Sequence, residues 1–152
     1  MMLNQPIADF KLPSTGDKTF ILSAVKGSNI VIYFYPKDDT PGCTTEGQQF
    51  RDNYQAFQNH NCIIVGISRD TVASHEKFKE KMAFPFDLLS DTDETVCNLF
   101  GVIKMKNMYG KQVRGIDRST FVLDTDGVLR CEWRSVKVPG HVDEVLDFVK
   151  TL

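Results

Sequence analysis

The feature that most constrains this chain is Asn29–Tyr35, NIVIYFY, an unbroken run of apolar, β-branched and aromatic residues after its first position. A strand with one wet face alternates in polarity, whereas a run without polar breaks belongs in the middle of a sheet covered on both sides. CIIVGIS at Cys62–Ser68 reads the same way. Between them, Gln48–Asn59 spaces Phe50, Tyr54 and Phe57 four and three apart, as one face of an amphipathic helix requires. Strand, helix and strand in this order predict an early β-α-β unit.

The remaining periodicities extend this pattern. Ala8–Leu12 and Thr19–Leu22 flank the turn-rich Pro13–Asp17 and predict an N-terminal hairpin. Thr71–Met82 is a charged helical stretch, and Asp93–Phe100 a shorter one with Val96, Leu99 and Phe100 on one side. Ser119–Asp124 and Val128–Arg134 predict an antiparallel pair joined through Asp124-Thr125-Asp126-Gly127. Behind Pro139-Gly140, His141–Thr151 sets Val142, Val145, Leu146 and Val149 at helical spacing. With 152 residues, 41% of them hydrophobic, and no repeat or linker, we expect one α/β domain built on a mixed central sheet with flanking helices. That element order is the one found in thioredoxin-like folds, although the pattern leaves topology open.

A net charge of −2 shows none of the basic excess that nucleic acid attracts. MMLNQPIADF lacks a charged segment followed by an apolar one, and no apolar run approaches the ~20 residues that span a bilayer. We therefore expect a cytoplasmic protein with neither nucleic acid nor membrane as a partner. Cys43, Cys62, Cys97 and Cys131 are too widely spaced for C-x-x-C pairs and are accompanied by only three histidines. Metal clusters are thus disfavoured, and reduced thiols are the expectation.

Cys43 stands apart. The central strand runs into Pro36-Lys37-Asp38-Asp39-Thr40-Pro41-Gly42-Cys43, and the amphipathic helix follows at once. Unpaired N–H groups and the positive end of the helix dipole favour a thiolate there. A thiol of pKa ~8.5 is only about 3% ionised at pH 7, so full ionisation gains roughly 30-fold. Anything faster needs groups that bind the substrate and stabilise developing charge. Thr40 can place a hydroxyl near the sulfur, and Pro36 and Pro41 can fix and shield the loop. The same residues are also those of an ordinary strand-to-helix turn, and by themselves they leave both readings open.

Pro36, Thr40 and Cys43 fit the pattern P-x-x-x-T-x-x-C, which resembles the active-site motif of peroxiredoxins. FYPKDDTPGCTTE, FRDNY at Phe50–Tyr54, RSTFVLD at Arg118–Asp124 and VKVPGHVDEVL at Val136–Leu146 resemble the bacterioferritin comigratory protein, or PrxQ, subfamily over nearly the whole chain. The resemblance implies a thioredoxin-like fold with an added N-terminal β-hairpin. It also implies thiol-dependent reduction of hydrogen peroxide and organic hydroperoxides through a Cys43 sulfenic acid, without a metal or other cofactor. Arg118 falls where the family's distant active-site arginine lies. Glu46 is a candidate to orient an arginine and Arg51 to extend the network, though both also read as exposed helix charges.

Resolution of the sulfenic acid is where the chain departs from its relatives. Many carry a second cysteine five residues after the first, where this chain has Gln48; others carry it on the following helix, and Thr71–Met82 has none. Cys62 opens an apolar strand and Cys131 shares parity with Leu129 and Trp133, so both read as packed thiols. Cys97 lies beside the apolar face of its helix and is expected to be partly exposed, the first intramolecular candidate. The favoured expectation is a monomer with a one-cysteine mechanism, its donor being thioredoxin or glutathione with glutaredoxin. The alternatives are an atypical two-cysteine enzyme using Cys97 and a redox sensor or holdase that uses Cys43 as a switch. A disulfide reductase would need the C-x-x-C that is missing. His60, His75 and His141 are scattered, with His141 starting the last helix, and none is required as a base.

Overall fold

A computed structural model describes residues Met1–Leu152. Its strands are β1 (Lys11–Ser14), β2 (Lys18–Ile21), β3 (Asn29–Phe34), β4 (Cys62–Ser68), β5 (Asp87–Ser90), β6 (Ile103–Met108), β7 (Lys111–Ile116), β8 (Ser119–Leu123) and β9 (Leu129–Trp133). Its helices are α1 (Pro41–Asp52), α2 (Tyr54–Gln58), α3 (Val72–Met82), α4 (Thr95–Leu99) and α5 (His141–Val149). Seven strands form one sheet in the order β2-β1-β5-β4-β3-β8-β9, while β6 and β7 pair separately. β3 pairs parallel with β4 and antiparallel with β8, which makes the sheet mixed.

Every residue of β3 is buried, and the strand's alternation divides the interior in two. Val31, Tyr33 and Tyr35 enter a core with Phe50, Phe57, Phe78, Val142 and Val145, contributed by α1, α2, α3 and α5. Ile30, Ile32 and Phe34 face the other way, into a core with Leu22, Val96, Phe100 and Phe121. Aromatic packing links strand to helix on the first face, where Tyr33 stacks on Phe50 with centroids 4.6 Å apart. The last helix buries Val142, Val145, Leu146 and Val149. No helix is long and apolar enough to cross a membrane.

The differences from the expected elements have local causes. The helix after β3 starts at Pro41, seven residues before the expected Gln48, because Pro41 is preorganised for the first helical position. It breaks at Asn53, whose side-chain amide donates to Gln49 O at 2.8 Å and competes with the helical pattern. The N-terminal hairpin forms, but its second strand ends at Ile21 and Leu22 opens a 3-10 turn. β5 is only four residues long. β6 and β7 carry mostly exposed residues, so their alternation shows no apolar face to read; their turn is Tyr109-Gly110, both at positive φ. In the β8–β9 hairpin the register shifts between Val122 and Leu123. Shared parity therefore fails as a guide: Leu129 packs in the second core, while Cys131 and Trp133 pack against the first.

Candidate active site

The end of β3 and the start of α1 converge on Cys43, the third residue of the helix. Thr40 is the N-cap residue, but its side chain makes no cap hydrogen bond; the hydroxyl donates to Lys37 O at 2.8 Å instead. The first-turn N–H groups are thus left without a capping side chain, which preserves the positive helix end for an anion. Cys43 is 2% exposed.

Arg118, 75 residues away between β7 and β8, closes the site. Its Nη2 lies 3.4 Å from Cys43 Sγ, and its Nη1 donates to Glu46 Oε1 at 2.7 Å. Glu46 follows Cys43 by three residues and so shares its helix face. Gly42 lets the guanidinium approach closely: a Cβ there would stand 3.1 Å from Arg118 Nη2, so Arg118 would have to shift by a few tenths of an ångström. Burial pushes the Glu46 carboxyl up to about 7, against the pull of Arg118. Its second oxygen, Oε2, is buried without a partner, the natural place for a proton. Burial also opposes the Arg118 charge, but Glu46 and Cys43 outweigh it and hold that pKa above its ordinary value. A charged donor therefore faces the sulfur from one side and a helix N-terminus from the other.

Pro36 is half-buried at the start of the loop. Under the loop lies a clasp that the sequence does not announce. Asp38 accepts from Tyr35 Oη at 2.6 Å and Ser74 Oγ at 2.8 Å, and meets His75 Nδ1 at 2.7 Å. Its own N–H donates to Asp70 at 2.9 Å, and His75 Nε2 reaches Leu89 O at 2.9 Å. Asp38, Asp70 and His75 bring ligand-type atoms within 4.8 Å of one another. Each is engaged by protein partners, so the cluster ties the loop to α3 and β5. The partners come from three separate segments, and KDDT looks like any polar turn.

Arg51 does not join the network. Five residues beyond Glu46 it points to a different side of α1, at ~100° per residue, and donates to Met82 O at 2.8 Å and Asp52 at 2.9 Å. Cys97 is not partly exposed: it is 0% exposed and packs in the core across the sheet from Cys43. Burial, reinforced by Asp91, raises its thiol far above the ordinary range. Burial alone raises Cys62 to about 12, and Cys131 is half-buried and also raised by burial. His141 does start α5; buried against Thr120 Oγ1 at 2.7 Å, it is pushed by burial down to about 4.

The profile of the AhpC/TSA family matches residues 3–131. The chain belongs to that family. Within it, peroxiredoxin Bcp of Xanthomonas campestris is 52% identical over 98% of this chain and 94% of its own length. Peroxiredoxin Bcp of Bacillus subtilis is 45% identical over 99% and 96%. Among solved structures, the X. campestris bacterioferritin comigratory protein superposes with a TM-score of 0.89 at 50% identity, covering 93% of this chain and 90% of its own. A PrxQ variant of Xylella fastidiosa reaches 0.94 at 41% identity, covering 99% and 96%. The family member is thus a Bcp/PrxQ peroxiredoxin with the thioredoxin-like fold expected from its element order.

Proposed function

We propose that this peroxiredoxin reduces hydrogen peroxide and organic hydroperoxides by direct attack of Cys43 on the O–O bond. The observation that carries the reading is the contact between Arg118 Nη2 and Cys43 Sγ at the start of α1, with Arg118 held by buried Glu46. The X. campestris relative is described by its alkyl peroxide reduction activity, which supports the inclusion of organic substrates.

The Cys43 thiolate gives its electron pair to the nearer peroxide oxygen, the O–O bond breaks, and the alkoxide or hydroxide leaves and takes a proton. Sulfur is oxidised to a sulfenic acid and the peroxide is reduced. Arg118 donates toward the sulfur and the breaking bond, where negative charge is spreading. Thr40, its proton given to Lys37 O, keeps lone pairs to accept the peroxide O–H. Pro36 shields the pocket and fixes the loop entry.

The mechanism is of the one-cysteine type. Gln48 occupies the near resolving position, α3 has no cysteine, and Cys97 lies on the other face of the sheet. A disulfide needs Cα atoms within about 7 Å, so an external thiol, from thioredoxin or from glutathione with glutaredoxin, discharges the sulfenic acid. The enzyme works as a single-domain monomer in the cytoplasm. Mass spectrometry after one equivalent of peroxide tests this: sulfenic acid on Cys43 is expected, and a dominant Cys43–Cys97 disulfide overturns the one-cysteine assignment. Repeated turnover with a thiol donor separates the peroxidase from a sensor or holdase, which would react once and stop.

A further inference from the structure

We infer that His75 is a positioning residue for the peroxide step: with a hydrogen on each ring nitrogen it fixes Asp38, and through Asp38 the Lys37 carbonyl that orients the Thr40 hydroxyl. This rests on the roles of Cys43 and Thr40 proposed above. The hydrogen bonds around the buried ring carry it, and the peptide between Lys37 and Asp38 connects it to the reaction.

His75 is fully buried, so both of its nitrogens must be answered within the protein. Nε2 lies 2.9 Å from Leu89 O, and because a carbonyl can only accept, Nε2 carries a hydrogen. Nδ1 lies 2.7 Å from Asp38 Oδ2. That oxygen also accepts from Ser74 Oγ at 2.8 Å, and Oδ1 accepts from Tyr35 Oη at 2.6 Å. A carboxylate placed as acceptor on every side leaves the hydrogen of the 2.7 Å contact on the nitrogen. A ring with one hydrogen could satisfy only one of the two oxygens; its bare nitrogen would face a lone pair at the other. His75 is therefore a buried cation matched by Asp38.

Asp38 passes this constraint to the backbone. Its N–H donates to Asp70 Oδ2 at 2.9 Å, so side chain and main chain are both anchored. That N–H shares one planar peptide unit with Lys37 O, and holding one end of the plane holds the other. Lys37 O is the acceptor for the Thr40 hydroxyl, at 2.8 Å. Asp39, inside this turn, sits at φ 57°, a left-handed conformation that costs a residue with a side chain, so the turn needs anchors outside itself. Lys81 supplies one, at 2.9 and 3.0 Å from the Asp39 carboxylate, but that pair is exposed and weak. The buried contacts of Asp38 supply the other.

The path to the chemistry is then short. With its hydrogen committed to Lys37 O, Thr40 Oγ keeps its lone pairs for the peroxide O–H, one turn before Cys43. If the peptide between Lys37 and Asp38 tilts, the hydroxyl loses its acceptor and is free to point its hydrogen at the substrate instead. The ring's own hydrogen bonds reach only Asp38, Tyr35 and Leu89, so His75 acts through Thr40 and not on the reacting atoms.

The test mixes the full chain and its variants with hydrogen peroxide and follows Cys43 sulfenic acid formation, per thiolate, by stopped flow. His75→Gln keeps a donor near the Nε2 position for Leu89 O and loses the one to Asp38; His75→Asn keeps a donor near Nδ1 and loses the one to Leu89. We expect His75→Gln to slow the reaction about tenfold, as one misplaced hydrogen bond allows, and His75→Asn to restore most of the rate. Added to Thr40→Val, which is itself slowed, His75→Gln should change the rate by no more than about twofold, because both act through one hydroxyl. Equal losses in the two His75 variants, or losses that multiply in the double variant, overturn the positioning role and leave His75 as packing. Wild-type protein supplies a check that no folding defect touches: NMR of the ring nitrogens at neutral pH should find a hydrogen on both, and a single one overturns the inference. Absence of any Cys43 sulfenic acid in wild type would instead sink the peroxidase reading on which it rests.

Discussion

Cys43 and Cys97 occupy the same position, the third residue of a helix, and both are buried, yet their surroundings are opposite in sign. At Cys43 the cap hydroxyl is turned toward Lys37 O and a guanidinium lies 3.4 Å from the sulfur. At Cys97 the helix start is already filled: the Asp91 carboxylate accepts from Val96 N at 3.1 Å and from Cys97 N at 2.6 Å. One helix end is left open for an anion and backed by a cation. The other is neutralised by an anion that also raises the thiol beside it. The two helix starts thus differ in the charge placed at them, and on the proposed assignment it is that charge, not the helix end alone, that sets which thiol reacts.

The largest effects break the Cys43 side of this contrast. Cys43→Ser should abolish peroxide consumption, and substantial residual turnover would sink the assignment. Arg118→Ala should slow sulfenic acid formation by about 10²- to 10³-fold, since it removes a transition-state donor as well as thiolate stabilisation. Loss of ionisation accounts for no more than roughly 30-fold. Stopped-flow rates at a pH where the mutant thiol is fully ionised separate the two contributions; wild-type speed there would leave Arg118 with ionisation only. Thr40→Val should give a smaller loss under the same condition.

A middle-sized effect sharpens the electrostatic side. The Glu46 carboxyl has a folded pKa of about 7 against an ordinary 4.5. Between those values the unfolded chain has already released the proton that the folded chain keeps, so stability falls as pH rises through the window. The loss is on the order of 3 kcal/mol for such a shift in a buried group. His141 works in the opposite sense: held at about 4 when folded against 6.5, it costs stability as pH falls through that range. The two slopes overlap, so wild-type data alone hide both. The difference between wild type and Glu46→Gln in urea unfolding should grow from pH 4.5 to 7 in favour of the variant; a flat difference would show that Arg118 keeps Glu46 ionised throughout.

The contrast between the two cysteines also marks what the sequence can disclose. β3 and β4 are legible because burial on both faces leaves polar residues only at their ends, Asn29 and Ser68, and α5 because its four apolar positions keep helical spacing. Cys43 is legible from its place between a strand and a helix, and Arg118 only through the family word around it. Charges that meet across long separations are not. Arg118 and Glu46 are 72 residues apart, and Asp38 and His75 are 37 apart. The expected exposure of Cys97 fails because spacing on a five-residue helix says little about which side is covered, and Asp91 looks like a surface acid until its two acceptor bonds are known. β6 and β7 have no buried face to betray them.

The smallest effect tests the Cys97 side directly. In Asp91→Asn the amide oxygen can still accept one of the two N–H bonds, but the amide nitrogen turns a donor toward the other. That mismatch and the lost charge should cost about 1–2 kcal/mol, read as a lower urea midpoint with an unchanged slope. Removing the carboxylate also removes one of the influences that raises the Cys97 thiol, while burial, the larger one, remains. Cys97 should accordingly stay unreactive in the native state: a thiol reagent should label it only at the rate set by unfolding, faster than in wild type by the same factor as the lost stability. Peroxide added at one equivalent should still oxidise Cys43 alone. If Asp91→Asn instead formed a Cys97 sulfenic acid at a rate comparable to Cys43, an uncovered helix start would suffice for reactivity, and the activation of Cys43 would then belong to its helix end rather than to Arg118.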